Sequence, residues 1–248
     1  MNIKRSTDLY HCTKGDFLIS ILKTKYFRYS YCLEEFYMPD DDYYVVNKFA
    51  YAMVCFADLL EEEVKGHMEQ FMADSYIVMD KKWALQNDLS PVVYYGKKSL
   101  PHCSLLFLTK KIKLLYDAGL AGAREMINAI GLLRPYYKLY EGHYFIKGTD
   151  KQSKDFVEFF LEREWRSIPS AKGGEHFYLE LEEYLNDDFR NNAAQELCDH
   201  GYRLKFEWDN IMKIGCKEEK KDEVLQTILE SFGVNENEAE NKIVIIHI

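Results

Sequence analysis

The sequence predicts an α+β fold: one domain over residues 1–248, with a mixed, mostly antiparallel sheet core and a helical insertion at about residues 100–135. Three observations predict it. Short apolar and β-branched runs in the first third are separated by short helical patterns, and strands return at the end. The order lacks the regular βα repeat of a parallel sheet. No Pro- or Gly-rich linker and no internal repeat divides the chain. With 47% hydrophobic residues, 248 residues hold enough apolar matter for a sizeable core.

The elements follow in order. Asp16 opens a helix to about Thr24 as its cap, with Phe17, Leu18 or Ile19, Ile21 and Leu22 on the buried side. TKYFRYSYCL, rich in aromatic and β-branched residues, reads as a strand. MPDDDYYVVNK reads as a loop, because Pro39 and the Asp run interrupt regular structure. YAMVCFADL, a continuous apolar run, reads as a buried strand. LEEEVKGHMEQFM is a helix whose acidic first turn suits the helix dipole. SYIVMD is a strand, DKKWALQND a short helix, and SPVVYYG a strand bounded by Pro91 and Gly96.

Residues 100–133 are helical, and Arg134-Pro135 ends that run. LYEGHYFIKG suggests a hairpin around Glu141-Gly142, and Gly173-Gly174 a turn. YRLKFEW and NIMKIGC are strands. KKDEVLQTILESFG is a helix stopped by Gly233. VNENEAENK reads as an acidic, solvated loop, and KIVIIHI as a closing strand.

A net charge of −9 argues against a protein that coats DNA, since phosphate neutralisation supplies most non-specific affinity. Local lysine clusters remain at 97–98 and at 110, 111 and 113. The six cysteines form no CxxC pair and show no zinc-ligand spacing, so no metal is expected. MNIKRSTDLYHC has no apolar leader segment, and no run is long enough to span a membrane. A cytoplasmic protein with free thiols is expected. The 19 tyrosines suit half-buried positions that need a ring with a polar tip.

Two segments draw attention as chemistry. In LEREWRSIP, a strand would put Glu162, Glu164 and Arg166 on one face, whereas a helix would instead align Glu158 with Glu162. Two carboxylates beside one guanidinium are costly to bury without a partner or a purpose, and a solvated charged edge strand is the plain alternative. His11, two residues before Thr13, is either a satisfied structural histidine or part of a site, and Thr13 is a candidate helix cap. Cys55 reads as an inert core thiol, Asp58 as a turn residue or cap, and His67 as a surface histidine. Nucleotide-loop, dinucleotide-fold, serine-hydrolase and zinc-protease motifs are absent from the sequence.

LYHCT, ILKTKYF, AMVCFADL, DKKWAL, LSPVVYYG and EREWR, in that order, resemble the AbiGi family of abortive-infection phage-defence proteins. The resemblance covers about residues 9–99 and 160–169. A broader likeness, resting on His11-x-Thr13, Cys55-Phe56 and Glu162-x-Glu164-Trp165-Arg166, is to ADP-ribosyltransferase-like proteins. That likeness implies a fold of the transferase type and NAD as substrate, without a metal. It implies that His11, with Thr13, holds the ribose, that Tyr26 or Tyr31 stacks on nicotinamide, and that Arg166 belongs with the cofactor-binding group. Glu164 would be catalytic, stabilising the positive charge that develops on the sugar, and Glu162 would orient the nucleophile. The sequence departs from the pattern at Cys12, at Phe71-Met72 and at Ala57.

Two functions follow. One is a NAD-dependent mono-ADP-ribosyltransferase toxin acting on a protein or RNA target. The other is a non-catalytic antitoxin that binds a partner toxin. Either implies a protein partner, no membrane and no bulk DNA binding. The enzyme requires His11 and Glu164 to face one cavity that admits NAD; the antitoxin requires only an exposed surface.

Overall fold

The computed structural model describes residues 6–40, 43–97, 99–169 and 177–247. Strand β1 (Asp8–Thr13) leads directly into helix α1 (Gly15–Thr24). Lys14, not Asp16 or Thr13, is the N-cap, and Asp16 lies inside the first turn, where its charge favours the dipole. The buried stripe is Gly15, Leu18, Ile19 and Leu22; Phe17 lies off that stripe and is exposed.

The strand expected over Thr24–Leu33 is two, β2 (Tyr26–Phe27) and β3 (Ser30–Asp40), which follow a left-handed residue at Lys25. β3 pairs with β4 (Tyr43–Ala57) in unbroken antiparallel register from Ser30↔Met53 to Asp40↔Tyr43. The segment expected to be a loop is therefore strand on both sides of residues 41–42, which lie outside the described residues. Among the described residues β3 pairs only with β4, so Pro39 sits on an edge strand that tolerates its missing N–H.

Helix α2 (Val64–Gln70) follows an acidic 3₁₀ turn at Glu61–Glu63. Strand β5 (Ser75–Asp80) runs into α3 (Lys81–Gln86), whose first turn is capped by Asp80 accepting from the Lys82 N–H. The next expected strand is split: β6 (Ser90–Pro91) joins the main sheet, and β7 (Val93–Tyr95) a separate one. The helical segment is present as α4 (Leu100–Asp117) and α5 (Ala123–Leu133).

The hairpin expected around Glu141-Gly142 is replaced by a change of sheet. β8 (Tyr137–Leu139) pairs in parallel with β7, whereas β9 (Gly142–Phe145) pairs with β10 (Gln152–Val157). Strand β11 (Glu164–Ser167) then returns to the main sheet. The Gly173-Gly174 turn lies outside the described residues. Beyond it come β12 (Tyr178–Glu180), α6 (Leu181–Leu185) and α7 (Asp187–Asp199). Of these, α7 is a polar helix whose narrow buried stripe, Ala193, Leu197 and Cys198, gives little periodic signal.

β13 (Leu204–Lys205) and β14 (Ile211–Cys216) precede α8 (Lys221–Phe232), which ends at left-handed Gly233 as expected. The acidic stretch read as a loop contains α9 (Glu236–Glu240), capped by Asn235. Strand β15 (Ile243–Ile245) closes the chain.

The main sheet runs β15-β14-β5-β1-β4-β11-β6, with β3 and β12 also on β4. Every pairing in it is antiparallel except β14–β15. Strand β5 and the later part of β4, from Ala50 on, are buried on both faces, which is why they read as continuous apolar runs. One face carries Leu9, Ala52, Val54, Phe56 and Ile77 and packs on α1 and α8 through Leu18, Leu22 and Ile228. The other carries Tyr10, Ala57 and Val78 in one cluster and Phe36, Tyr51 and Met53 in another.

Candidate functional site

The second face of the sheet holds charges. Glu164↔Ala57 and Arg166↔Cys55 pair across the β11–β4 ladder, so Glu164 and Arg166 project from one side of a strand that is itself buried between β4 and β6. Glu162 is not on that strand. It ends a 3₁₀ turn (Phe159–Glu162), and Arg163, in the left-handed region at φ 45°, joins the two. The Arg163 guanidinium fixes this kink by donating to the Asp58 carbonyl at 2.6 Å and pairing with Glu63.

Lys138, on β8, meets both glutamates. Its Nζ lies 2.8 Å from Glu164 Oε2, 3.3 Å from Glu162 Oε2 and 4.6 Å from the Phe159 ring centre. β8 is held in place by its ladder with β7, where Tyr94↔Lys138 pair, and the Tyr94 hydroxyl accepts from the Glu164 N–H at 2.8 Å. Arg166 grips Glu164 with two nitrogens, Nε to Oε1 at 2.8 Å and Nη2 to Oε2 at 3.0 Å. It also reaches Glu34 and the Pro135 carbonyl. The result is an alternating ladder, Glu34–Arg166–Glu164–Lys138–Glu162.

This ladder sits in the protein interior, with Glu162, Glu164, Arg166 and Lys138 all buried. Burial opposes the charged form of Glu164, but Arg166 and then Lys138 outweigh it and hold that carboxyl far below the usual range. Burial likewise opposes the Lys138 ammonium, and the two glutamates outweigh it, raising its pKa. Glu162 falls the other way: burial, joined by the Glu164 charge and only partly opposed by Lys138 and Arg166, pushes it up to about 7. Its Oε1 is buried without a hydrogen-bond partner. His67, expected on the surface, is lowered to about 4 by burial and then by the Lys138 charge. Among the described residues no group of three or more His, Cys, Asp or Glu side chains is placed to hold a metal ion.

The remaining sequence candidates lie elsewhere. His11 pairs across β1–β4 on the Phe56 side, one residue from Tyr10↔Ala57, and its ring packs 5.0 Å from Phe27 and 5.4 Å from Phe56. Its Nδ1 lies 2.8 Å from the Cys55 carbonyl, and burial lowers its pKa. This is the satisfied structural histidine of the two alternatives. Tyr31, in register with Ala52, is buried in the same apolar cluster. The Tyr26 hydroxyl lies 3.5 Å from Cys198 Sγ, and the Arg203 guanidinium lies over its ring. Thr13 ends β1 opposite Ser75, and its carbonyl accepts from Asp74.

Side chains directly opposite in an antiparallel ladder share a face. His11 and Tyr31 therefore lie on one side of the sheet, and Glu164 and Arg166 on the other. The requirement that His11 and Glu164 face one cavity is not met, and the assigned residues do not fit a single dinucleotide site. Asp58 is an ion-pair partner, 2.6 Å from Lys81 Nζ. Cys55 keeps a pKa well above that of a free thiol, through the neighbouring Cys32 thiol and burial.

Sequence reading missed Lys138 and Glu34. Both had a usable signal: PYYKLY and YCLEEFY each place charge inside an aromatic, strand-forming run, where a buried charge demands a partner.

A family model described as "Putative abortive phage resistance protein AbiGi, antitoxin" matches residues 25–217, more than half of the chain. The match contains the whole ladder from Glu34 to Arg166 and leaves His11 and Thr13 outside. The chain is also 25% identical over 178 residues to "Abortive phage resistance protein AbiGi" of Lactococcus lactis subsp. cremoris, covering 66% of this chain and 63% of that relative. It thus spans less than two thirds of that protein's length. No solved structure matches the chain.

Proposed function

We propose, from the premise that the chain belongs to the AbiGi family, that it serves anti-phage defence as a binding component that neutralises a partner toxin. The family description names an antitoxin, and one observation in this molecule favours that role over catalysis. Both oxygens of Glu164 are engaged by Arg166 and Lys138, inside the protein. A carboxylate that stabilises a developing oxocarbenium charge must present a free oxygen to the substrate. Freeing Glu164 would break a buried ion pair, at about 3–5 kcal/mol. The ladder instead supports a structural role: it fixes β8 and the turn before β11 against the sheet. No helix among the described residues is long and apolar enough to cross a membrane.

The test has two readouts on the purified and the expressed protein. Co-expression with candidate toxins encoded alongside the chain is expected to restore growth through a complex that co-purifies. NAD turnover, with or without lysate, is expected to stay at background. NAD turnover that disappears in a folded Glu164→Gln variant would overturn this reading and restore the transferase.

A further inference from the structure

We infer that the outer stripe of α4 docks an acidic amphipathic helix of a partner protein. This deepens the binding function above and rests on it.

α4 is apolar on two sides. Inward, Leu106 and Ile112 are buried, and His102 stacks on Tyr95 with ring centres 4.5 Å apart and planes 6° from parallel. That side is already used. Outward stand Leu100, Phe107 and Leu114, exposed at 79, 62 and 54%. They are spaced by seven residues, two helical turns, and so form one straight seam. A seven-residue seam is the pattern on which a second helix packs at about 20°. Large apolar side chains aligned on a surface mark an interaction site, where scattered ones would not.

Charge selects the occupant. Lys111 lies on the seam, one turn beyond Phe107, with its ammonium 5.4 Å from the Phe107 ring centre. Lys110 stands beside the seam, one turn beyond Phe107, whereas Lys113 projects from the other side of the helix and pairs with Asp117 at 3.2 Å. Helices α4 and α5 carry four basic and two acidic residues in a chain of net charge −9. A second copy packed seam on seam would set Lys111 against its counterpart in a parallel pair, and in an antiparallel pair against the first half of α4, which carries no carboxylate. Helices that lie on anionic bilayers keep their cations off the apolar stripe, and here Lys111 interrupts it. Single-stranded nucleic acid wants a succession of aromatic rings, and this seam is aliphatic except at Phe107. A helix with leucines facing the seam and glutamates facing Lys110 and Lys111 satisfies both features.

The experiment uses the full chain and two synthetic helical peptides with the same leucine seam, one flanked by Glu and the other by Lys. Fluorescence anisotropy is expected to show the Glu peptide binding on the order of tenfold tighter, with the gap closing as salt is raised. The double variant Phe107→Asp/Leu114→Asp is expected to lose binding with an unchanged melting curve, and Lys111→Glu to shift preference toward the Lys peptide. Equal binding of both peptides overturns the inference, as does preferential binding to phosphatidylserine vesicles or to single-stranded RNA. So does seam-dependent self-association in sedimentation. In the growth assay, full protection by the double variant overturns the docking surface and leaves the binding function standing, whereas failure of the wild type strikes the function itself.

Discussion

On the side of the sheet that meets α1 and α8, strand β4 presents Ala52, Val54 and Phe56, and His11 is the polar exception, wedged among rings. On the side that meets β8, the same strand presents Tyr51, Met53 and Cys55, with Glu34, Glu164 and Arg166 projecting from its neighbours. The first face is held by non-directional apolar burial, at about 1.5–3 kcal/mol per large side chain. The second depends on reciprocal charge: each member of the ladder is tolerable only because the next one is present. Loss of a side chain should therefore be graded on the first face and abrupt on the second.

The sharpest break is Arg166→Met. It removes the cation between Glu34 and Glu164 and leaves buried carboxylates short of a partner. We expect a loss of about 3–5 kcal/mol in urea unfolding, more than its apolar volume would suggest. His11→Leu tests the first face. It removes one hydrogen bond to the Cys55 carbonyl but keeps apolar bulk between Phe27 and Phe56, so about 1–3 kcal/mol is expected. If His11→Leu proves the costlier of the two, the contrast between the faces is wrong.

The same contrast explains what the sequence made legible. β5 and the later part of β4 could be read because burial on both faces leaves an unbroken apolar run, and α8 because Gly233 marks its end. The Glu162-x-Glu164-x-Arg166 spacing singled out three residues that the fold brings into one charge ladder. It could not reveal which face of the sheet the site occupies, because sidedness depends on register with β4, and register is a tertiary property. His11 and Glu164 belong on opposite sides by one residue of register, Phe56 against Ala57. Lys138 was hidden for a related reason: its partners come from 24 and 26 residues away. α7 and α9 were missed because their buried stripes are too narrow to stand out from polar sequence.

The pH profile sharpens the comparison within the charged face. Glu162 is raised from its ordinary 4.5 to about 7, so between those values the folded protein holds a proton that the unfolded chain releases. Its contribution is fully present below about pH 4.5 and is lost as pH rises through about 7. Glu164 is depressed, so its contribution is present above about 4.5 and lost as pH falls below it. His67, lowered from 6.5 to about 4, also costs stability as pH falls through that interval. Subtracting the profile of Glu162→Gln from that of wild type cancels the histidine. The difference should fall from pH 5 to pH 7, and a flat or rising difference would mean that Glu162 is ionised in the folded protein.

The smallest effect addresses the turn that joins the two glutamates. Arg163 sits at φ 45°, a conformation that costs an L-residue about 1–2 kcal/mol and glycine almost nothing. Its pair with Glu63 is a third exposed, with side-chain exposures of 36% and 37%, and such pairs contribute about 0–1 kcal/mol. In Arg163→Gly the relief of backbone strain offsets the lost pair and the lost hydrogen bond to the Asp58 carbonyl, so a net change within about 1 kcal/mol is expected. Arg163→Val loses the same pair and hydrogen bond and keeps the strain, in a β-branched residue poorly suited to it. It should fall about 1–2 kcal/mol below the glycine variant in parallel thermal melts. Equal stability of the two would mean that the Arg163 side chain, rather than the left-handed backbone, holds Glu162 against Lys138.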